Sequence, residues 1–175
     1  MTIAASNCLC VKSNSTPGAL LPHLETMTAL VAMFWFHGRF QISYAEQRSI
    51  YTKVTASSRA GLTLASLQPL LRQQSASLVE LKGMNQNAVG FFNHGSSVGP
   101  LLGLVSLKSP MFPKGLPHCV VFYPPFRMLI DNDGSVLMVD KADLVSQSAA
   151  RDVFHRMFDK CTRVDLLKVY YIALN

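Results

Sequence analysis

Cys119-Val120-Val121-Phe122-Tyr123-Pro124-Pro125-Phe126-Arg127-Met128-Leu129-Ile130-Asp131-Asn132-Asp133-Gly134-Ser135-Val136-Leu137-Met138-Val139 is the stretch on which the fold class turns. It holds three short apolar runs, 119–123, 126–130 and 135–139, each too short for a stable helix and rich in β-branched and aromatic residues. Such runs bounded by turn residues read as strands. Asp131-Asn132-Asp133-Gly134 is a good hairpin signal, because Asn, Asp and Gly accept the positive φ of tight β-turns. Pro124-Pro125 makes a poorer turn and is expected to send the strands on either side of it apart.

Downstream, Ser148 is placed to cap a helix whose apolar stripe is Ala150, Val153, Phe154, Met157, Phe158 and Cys161. Arg151, Asp152, His155, Arg156, Asp159 and Lys160 fall outside that stripe. Leu166 to Leu174 holds Val169, Tyr170, Tyr171 and Ile172 in a row, which favours a closing strand. Upstream, 84–117 is broken by Gly and Pro and holds two short apolar pieces, Ala88 to Phe92 and Leu101 to Leu107. Before it, Leu67, Leu70, Leu71, Gln74, Leu78 and Leu81 recur at helical spacing, with Ser66 as cap, Pro69 in the first turn and Gly83 at the C′ position. This predicts a helix over 67–82.

Phe34, Phe36, Phe40, Ile42 and Tyr44 alternate with His37, Arg39, Gln41 and Ser43, which predicts a half-buried strand; 50–55 predicts a second one after a turn at 45–49. Residues 1–22 are Asn-, Ser- and Thr-bearing with little periodicity and read as a flexible arm, leaving 23–175 as a single domain. The expected architecture is α+β: an antiparallel sheet of short strands packed on one side by two amphipathic helices.

Hydrophobic residues make up 49% of the 175 and charged ones 15%, enough apolar material for a core and too little charge for a disordered chain. The longest apolar run, Ala29 to Phe36, falls far short of the ~20 residues a membrane-spanning helix needs. The polar start at 1–15 does not read as a secretion signal, so an intracellular, cytoplasmic location is expected, with Cys8, Cys10, Cys119 and Cys161 as reduced thiols. Thr2 excludes N-myristoylation and the C-terminal Tyr171-Ile172-Ala173-Leu174-Asn175 excludes prenylation.

Gly95-Ser96-Ser97-Val98-Gly99 matches G-x-S-x-G, the turn that presents the nucleophile of many serine hydrolases. Ser97, then Asp131 or Asp140, then His155 follow the chain order of that class. Against this, Pro100 sits where the elbow's helix should begin, and His155 lies on the solvated side of its helix, so a glycine-rich loop is the better reading. Asp131-Asn132-Asp133-Gly134 fails as a calcium loop, because Leu129 stands five residues before the Gly where an Asp is required. His118 and Cys119, adjacent on a strand, point to opposite faces and cannot share a zinc ion comfortably. His118 reads as an ordinary strand-edge residue and Cys119 as a small buried hydrophobe. No catalytic residue, metal or cofactor is expected.

Charge is the remaining signal. Residues 1–126 hold nine Lys/Arg against three acids, while 127–175 hold seven against seven, so the whole formal +6 lies in the first part. That asymmetry attracts polyanions. Arg39, Arg48, Lys53 and Arg59 flank the first two predicted strands, and alternation puts Trp35, His37 and Arg39 on one face. These six form the candidate surface for nucleic acid or an anionic membrane. In general character (small, basic, Met- and Ser-rich, with a flexible arm) the chain resembles matrix or accessory proteins of RNA viruses, with no motif in common. A non-enzymatic binding and assembly protein that self-associates is therefore the first expectation. A small serine hydrolase using Ser97 and a host-directed protein-interaction module are the alternatives.

Overall fold

The computed structural model describes residues 75–94, 99–131 and 135–174, together with Arg72. The predicted arm at 1–22, the predicted strands at 34–44 and 50–55, and the domain boundary at 23 all lie outside the described residues. In chain order the elements are β1 (Ala76–Leu81), α1 (Ala88–Phe92), β2 (Leu101–Ser109), β3 (Phe112–Tyr123), β4 (Met128–Ile130), β5 (Val136–Met138), α2 (Gln147–Met157) and β6 (Arg163–Leu174). The six strands make one antiparallel sheet in the order β1-β6-β2-β3-β4-β5, so the architecture is α+β.

The decisive stretch folds largely as read. Met128 pairs with Met138, Leu129 with Leu137 and Ile130 with Val136, and the Asp131 N–H donates to the Ser135 carbonyl at 2.9 Å, closing the expected hairpin. Pro124-Pro125 corrects the expectation of splayed strands, since Val121, Phe122 and Tyr123 pair with Ile130, Leu129 and Met128. The two prolines begin a single 3-10 turn, Pro124–Phe126, in which their missing N–H groups cost nothing. Arg127 then takes a left-handed φ of 52°, donates its N–H to the Pro124 carbonyl at 3.0 Å, and ties its Nε to the Val139 carbonyl at 2.7 Å.

The helix predicted over 67–82 is corrected from Ser75 onward, while 67–71 and 73–74 lie outside the described residues. Arg72 is helical, but Ser75 adopts a left-handed φ of 51° with its N–H on the Arg72 carbonyl at 3.0 Å, and Ala76–Leu81 is a strand. Leu78 and Leu81 fit a helical stripe, yet Ala76-Ser77-Leu78-Val79-Glu80-Leu81 also alternates. A six-pair ladder, from Ala76 with Leu174 to Leu81 with Val169, satisfies this backbone between two chain segments nearly a hundred residues apart. Helix propensity separates most residues by only ~0.7 kcal/mol and yields to such a ladder. The predicted closing strand is present and begins earlier, at Arg163.

Among the described residues the helix that joins α2 in packing is Ala88–Phe92, one of the short apolar pieces. Asn87 caps it, its Oδ1 accepting the Gly90 N–H at 2.9 Å. The predicted C-terminal helix is α2, with its cap moved two residues to Ser146, whose hydroxyl accepts the Ala149 N–H at 3.0 Å. Gln147 joins the two helix starts, donating to Asn87 Oδ1 at 2.8 Å and accepting from the Val89 N–H at 3.2 Å.

By register, Leu101, Gly103, Val105 and Leu107 share a sheet face with Val120, Phe122, Leu129, Val164, Leu166 and Val169. These apolar side chains form one core with Phe91, Phe92, Ala150, Val153 and Phe154 from the helices. Four phenyl rings knit it together: Phe91 stacks on Phe154 at 6.0 Å, and Phe92 meets Phe122 edge-on at 5.3 Å. Gly103 is needed there, because a Cβ would stand 3.1 Å from the Phe91 ring and 3.2 Å from a Val120 methyl. The opposite face carries Leu102, Cys119, Val121, Ile130 and Ile172, all at most 3% exposed and none of them in the helix-side core. Among the described residues no helix is long and apolar enough to cross a membrane.

Candidate functional site

The six residues singled out from sequence, Trp35, His37, Arg39, Arg48, Lys53 and Arg59, lie outside the described residues, as does Ser97. The elements around Ser97 are nonetheless informative. A nucleophile elbow needs a strand before the serine and a helix after it. Here helix α1 precedes and strand β2 follows, the reverse order. His155, the expected base, is on α2 and only partly buried, beside exposed Arg151, Asp152 and Arg156.

His118 departs from the expected strand-edge residue. It lies in the middle of β3 opposite Val105, on the helix side, and is 7% exposed. Its Nε2 is 2.6 Å from Asp131 Oδ1, and its ring meets Phe158 edge-on at 5.3 Å. Asp131 is 8% exposed, so the pair lies inside the fold and joins the end of β4 to the middle of β3. Cys119 points to the other face and is buried, as expected from strand alternation. The Cys161 thiol is pushed above its usual pKa by burial and by the nearby Asp159 charge, the opposite of an activated nucleophile. Among the described residues no three His, Cys, Asp or Glu side chains gather to hold a metal ion.

Charge gathers instead at one end of the sheet, where the β2–β3 hairpin turns. Ser109 pairs with Phe112, leaving Pro110 and Met111 as the tip, and the Phe112 N–H donates to Ser109 Oγ at 3.3 Å. Beside the tip runs the turn from α2 into β6: the Thr162 N–H and hydroxyl both donate to the Lys108 carbonyl, at 2.8 and 3.2 Å. Lys108 stands opposite Arg163 across the ladder. Lys108 and Arg163 thereby stand side by side at this end, with Lys114 two residues past Phe112 on β3 and Lys160 two residues before Thr162 in the turn; Asp159 and Asp165 are the carboxylates of the same segments.

Asp165 organises this cluster. Its Oδ1 accepts Arg163 Nε at 2.7 Å and its Oδ2 is 3.3 Å from Lys108 Nζ. Burial by itself raises the Asp165 pKa, but hydrogen bonds from Arg163, Lys108 and Gln86 and the Arg163 charge outweigh it and hold the carboxyl below its usual range. Lys114 and Lys160 make no ion pair among the described residues and are exposed. At the tip, close to Lys114 in the chain, Met111 is 83% exposed and Phe112 46%. The arrangement can present cations and an apolar tip together to a partner; it places no nucleophile or base on a cleft.

Sequence reasoning missed this end because it tested the basic residues around the first predicted strands alone. A signal was present in Lys108-Ser109-Pro110-Met111-Phe112-Pro113-Lys114-Gly115, where an apolar pair sits between two prolines and two lysines. The contribution of Arg163 was not visible, since only the β2–β6 pairing brings it beside Lys108. Searches against protein-family models, curated proteins and solved structures returned no match to this chain.

Proposed function

We propose that this protein is a non-enzymatic binding and assembly protein, in general character like a small matrix or accessory protein of an RNA virus, that contacts nucleic acid or an anionic membrane through its positive charge. The observation that carries this reading is the gathering of Lys108, Arg163 and the segments that bear Lys114 and Lys160 at the hairpin end of the sheet, on a chain with a formal charge of +6. Trp35, His37, Arg39, Arg48, Lys53 and Arg59 are the proposed second contact group. Cation clusters bind polyanions by releasing condensed counterions, so affinity falls steeply as salt rises.

The test is binding of the full chain to single-stranded RNA and to anionic vesicles across salt. Reversing Lys114 and Lys160, or Arg39 and Arg48, should weaken binding and flatten the salt dependence. Affinity that ignores salt and survives both reversals would reject the reading.

A further inference from the structure

We propose that the β2–β3 hairpin is a membrane-contact wedge, in which Met111 and Phe112 enter the interface of an anionic bilayer while Lys114 and Lys160, with Lys108 and Arg163 behind them, engage its headgroups. This rests on the anionic-partner reading above and narrows it to one partner. Large apolar side chains are the costliest to leave in water, and here two consecutive ones stand at the outermost point of a hairpin, 83% and 46% exposed.

The local construction holds them out. Pro110 fixes the turn, and Ser109 Oγ takes the Phe112 N–H. Thr162 clamps the Lys108 carbonyl from the turn that leads into β6. Gly115, at a φ of 93°, packs its backbone against Ser106 and the Lys108 side chain, where a Cβ would collide with Ser106 Oγ. A rigid base loses little conformational entropy when its tip inserts.

The shape of the tip separates a bilayer from RNA. Single-stranded nucleic acid is held in a basic groove with aromatic platforms on which successive bases stack. The tip is a hairpin turn that offers one half-exposed phenyl ring and a thioether, with exposed Lys114 two residues on. That is the pattern of interfacial insertion, where apolar burial and attraction to anionic lipid add. Asp165 offsets part of the charge of Arg163 and Lys108, which lie on its two oxygens, and Asp159 adjoins Lys160 in the chain. Four cations against two carboxylates leave this end net positive, with Lys114 and Lys160 outside any ion pair among the described residues.

The experiment is co-sedimentation of the full chain with phosphatidylcholine vesicles containing either no phosphatidylserine or about 30 mol% of it, between about 0.05 and 0.5 M salt. Binding to a single-stranded RNA oligonucleotide is measured in parallel. The expected result is binding to the anionic vesicles only, weakened about tenfold in Met111→Gln/Phe112→Gln with the salt dependence kept. Lys114→Glu/Lys160→Glu should weaken binding and reduce the salt dependence. Both pairs are exposed, so thermal midpoints should match the parent; if the double Gln variant melts early, Met111→Gln alone provides the comparison. Undiminished vesicle binding by the Gln variants, or equal binding to vesicles without phosphatidylserine, overturns the wedge. Salt-sensitive binding to RNA without vesicle binding overturns the wedge and leaves the broader reading standing, while binding to neither overturns both.

Discussion

Gly115 and Asp165 show how single residues set the geometry of the hairpin end. At Gly115 the backbone takes a φ of 93°, which an L side chain rarely adopts, and a Cβ there would run into Ser106 Oγ. Gly115→Ala should therefore lower stability by about 1–3 kcal/mol, read as a shift of the urea midpoint, whereas Lys114→Ala next to it should change little. Asp165 makes a pH-dependent contribution whose sign follows from its depressed pKa. The unfolded carboxyl titrates near ~3.9, so the Arg163 and Lys108 contacts stabilise fully above that value and are lost as pH falls through the lower folded value. The gap in stability between the parent and Asp165→Asn should be widest at about pH 6 and should shrink towards about pH 3. A gap independent of pH would show that the carboxylate's charge is not what holds the two cations.

Helix α2 is the element whose burial is most directly tested. Its stripe was legible from sequence, and Ala150, Val153 and Phe154 are indeed fully buried while Met157 and Phe158 are half-buried. Phe154 touches Phe91 and Phe92, with ring centroids at 6.0 and 5.0 Å. Phe154→Ala should cost about 3–5 kcal/mol through lost burial and the cavity it leaves, and Phe158→Ala less because its ring is partly exposed. Arg156→Ala removes a surface ion pair with Asp143, 2.9 Å long, and should cost under about 1 kcal/mol. Thermal melts of the three variants give the ranking directly. An unchanged midpoint for Phe154→Ala would mean that α2 does not pack on the sheet.

For the whole molecule the strand order decides what is stable and what opens first. β2 and β6 lie between paired neighbours, while β1 and β5 are the outer strands of the described sheet. Amide exchange should accordingly be slowest in β2 and β6 and fastest in β1 and β5, by about tenfold or more. Removing residues 170–175 takes away the partners of Ala76 to Glu80, so β1 should then exchange like unstructured chain while the β3–β4–β5 hairpins keep their protection. Retained protection in β1 would refute the β1–β6 register. By itself, the amino-acid sequence determined the α+β class, the turn at 131–134, the apolar stripe of α2 and the closing strand. Each of these is written in neighbouring residues, through turn chemistry at four positions or periodicity over ten. Only the tertiary structure decided that Ala76–Leu81 is a strand, that His118 meets Asp131, and that Lys108 stands beside Arg163. Those outcomes depend on partners between 13 and 98 positions away in the chain, at His118–Asp131 and Ala76–Leu174, and local pattern carries no record of such pairings. A helical stripe and a strand alternation can occupy the same six residues, and the backbone takes whichever form finds a distant ladder to complete its hydrogen bonds.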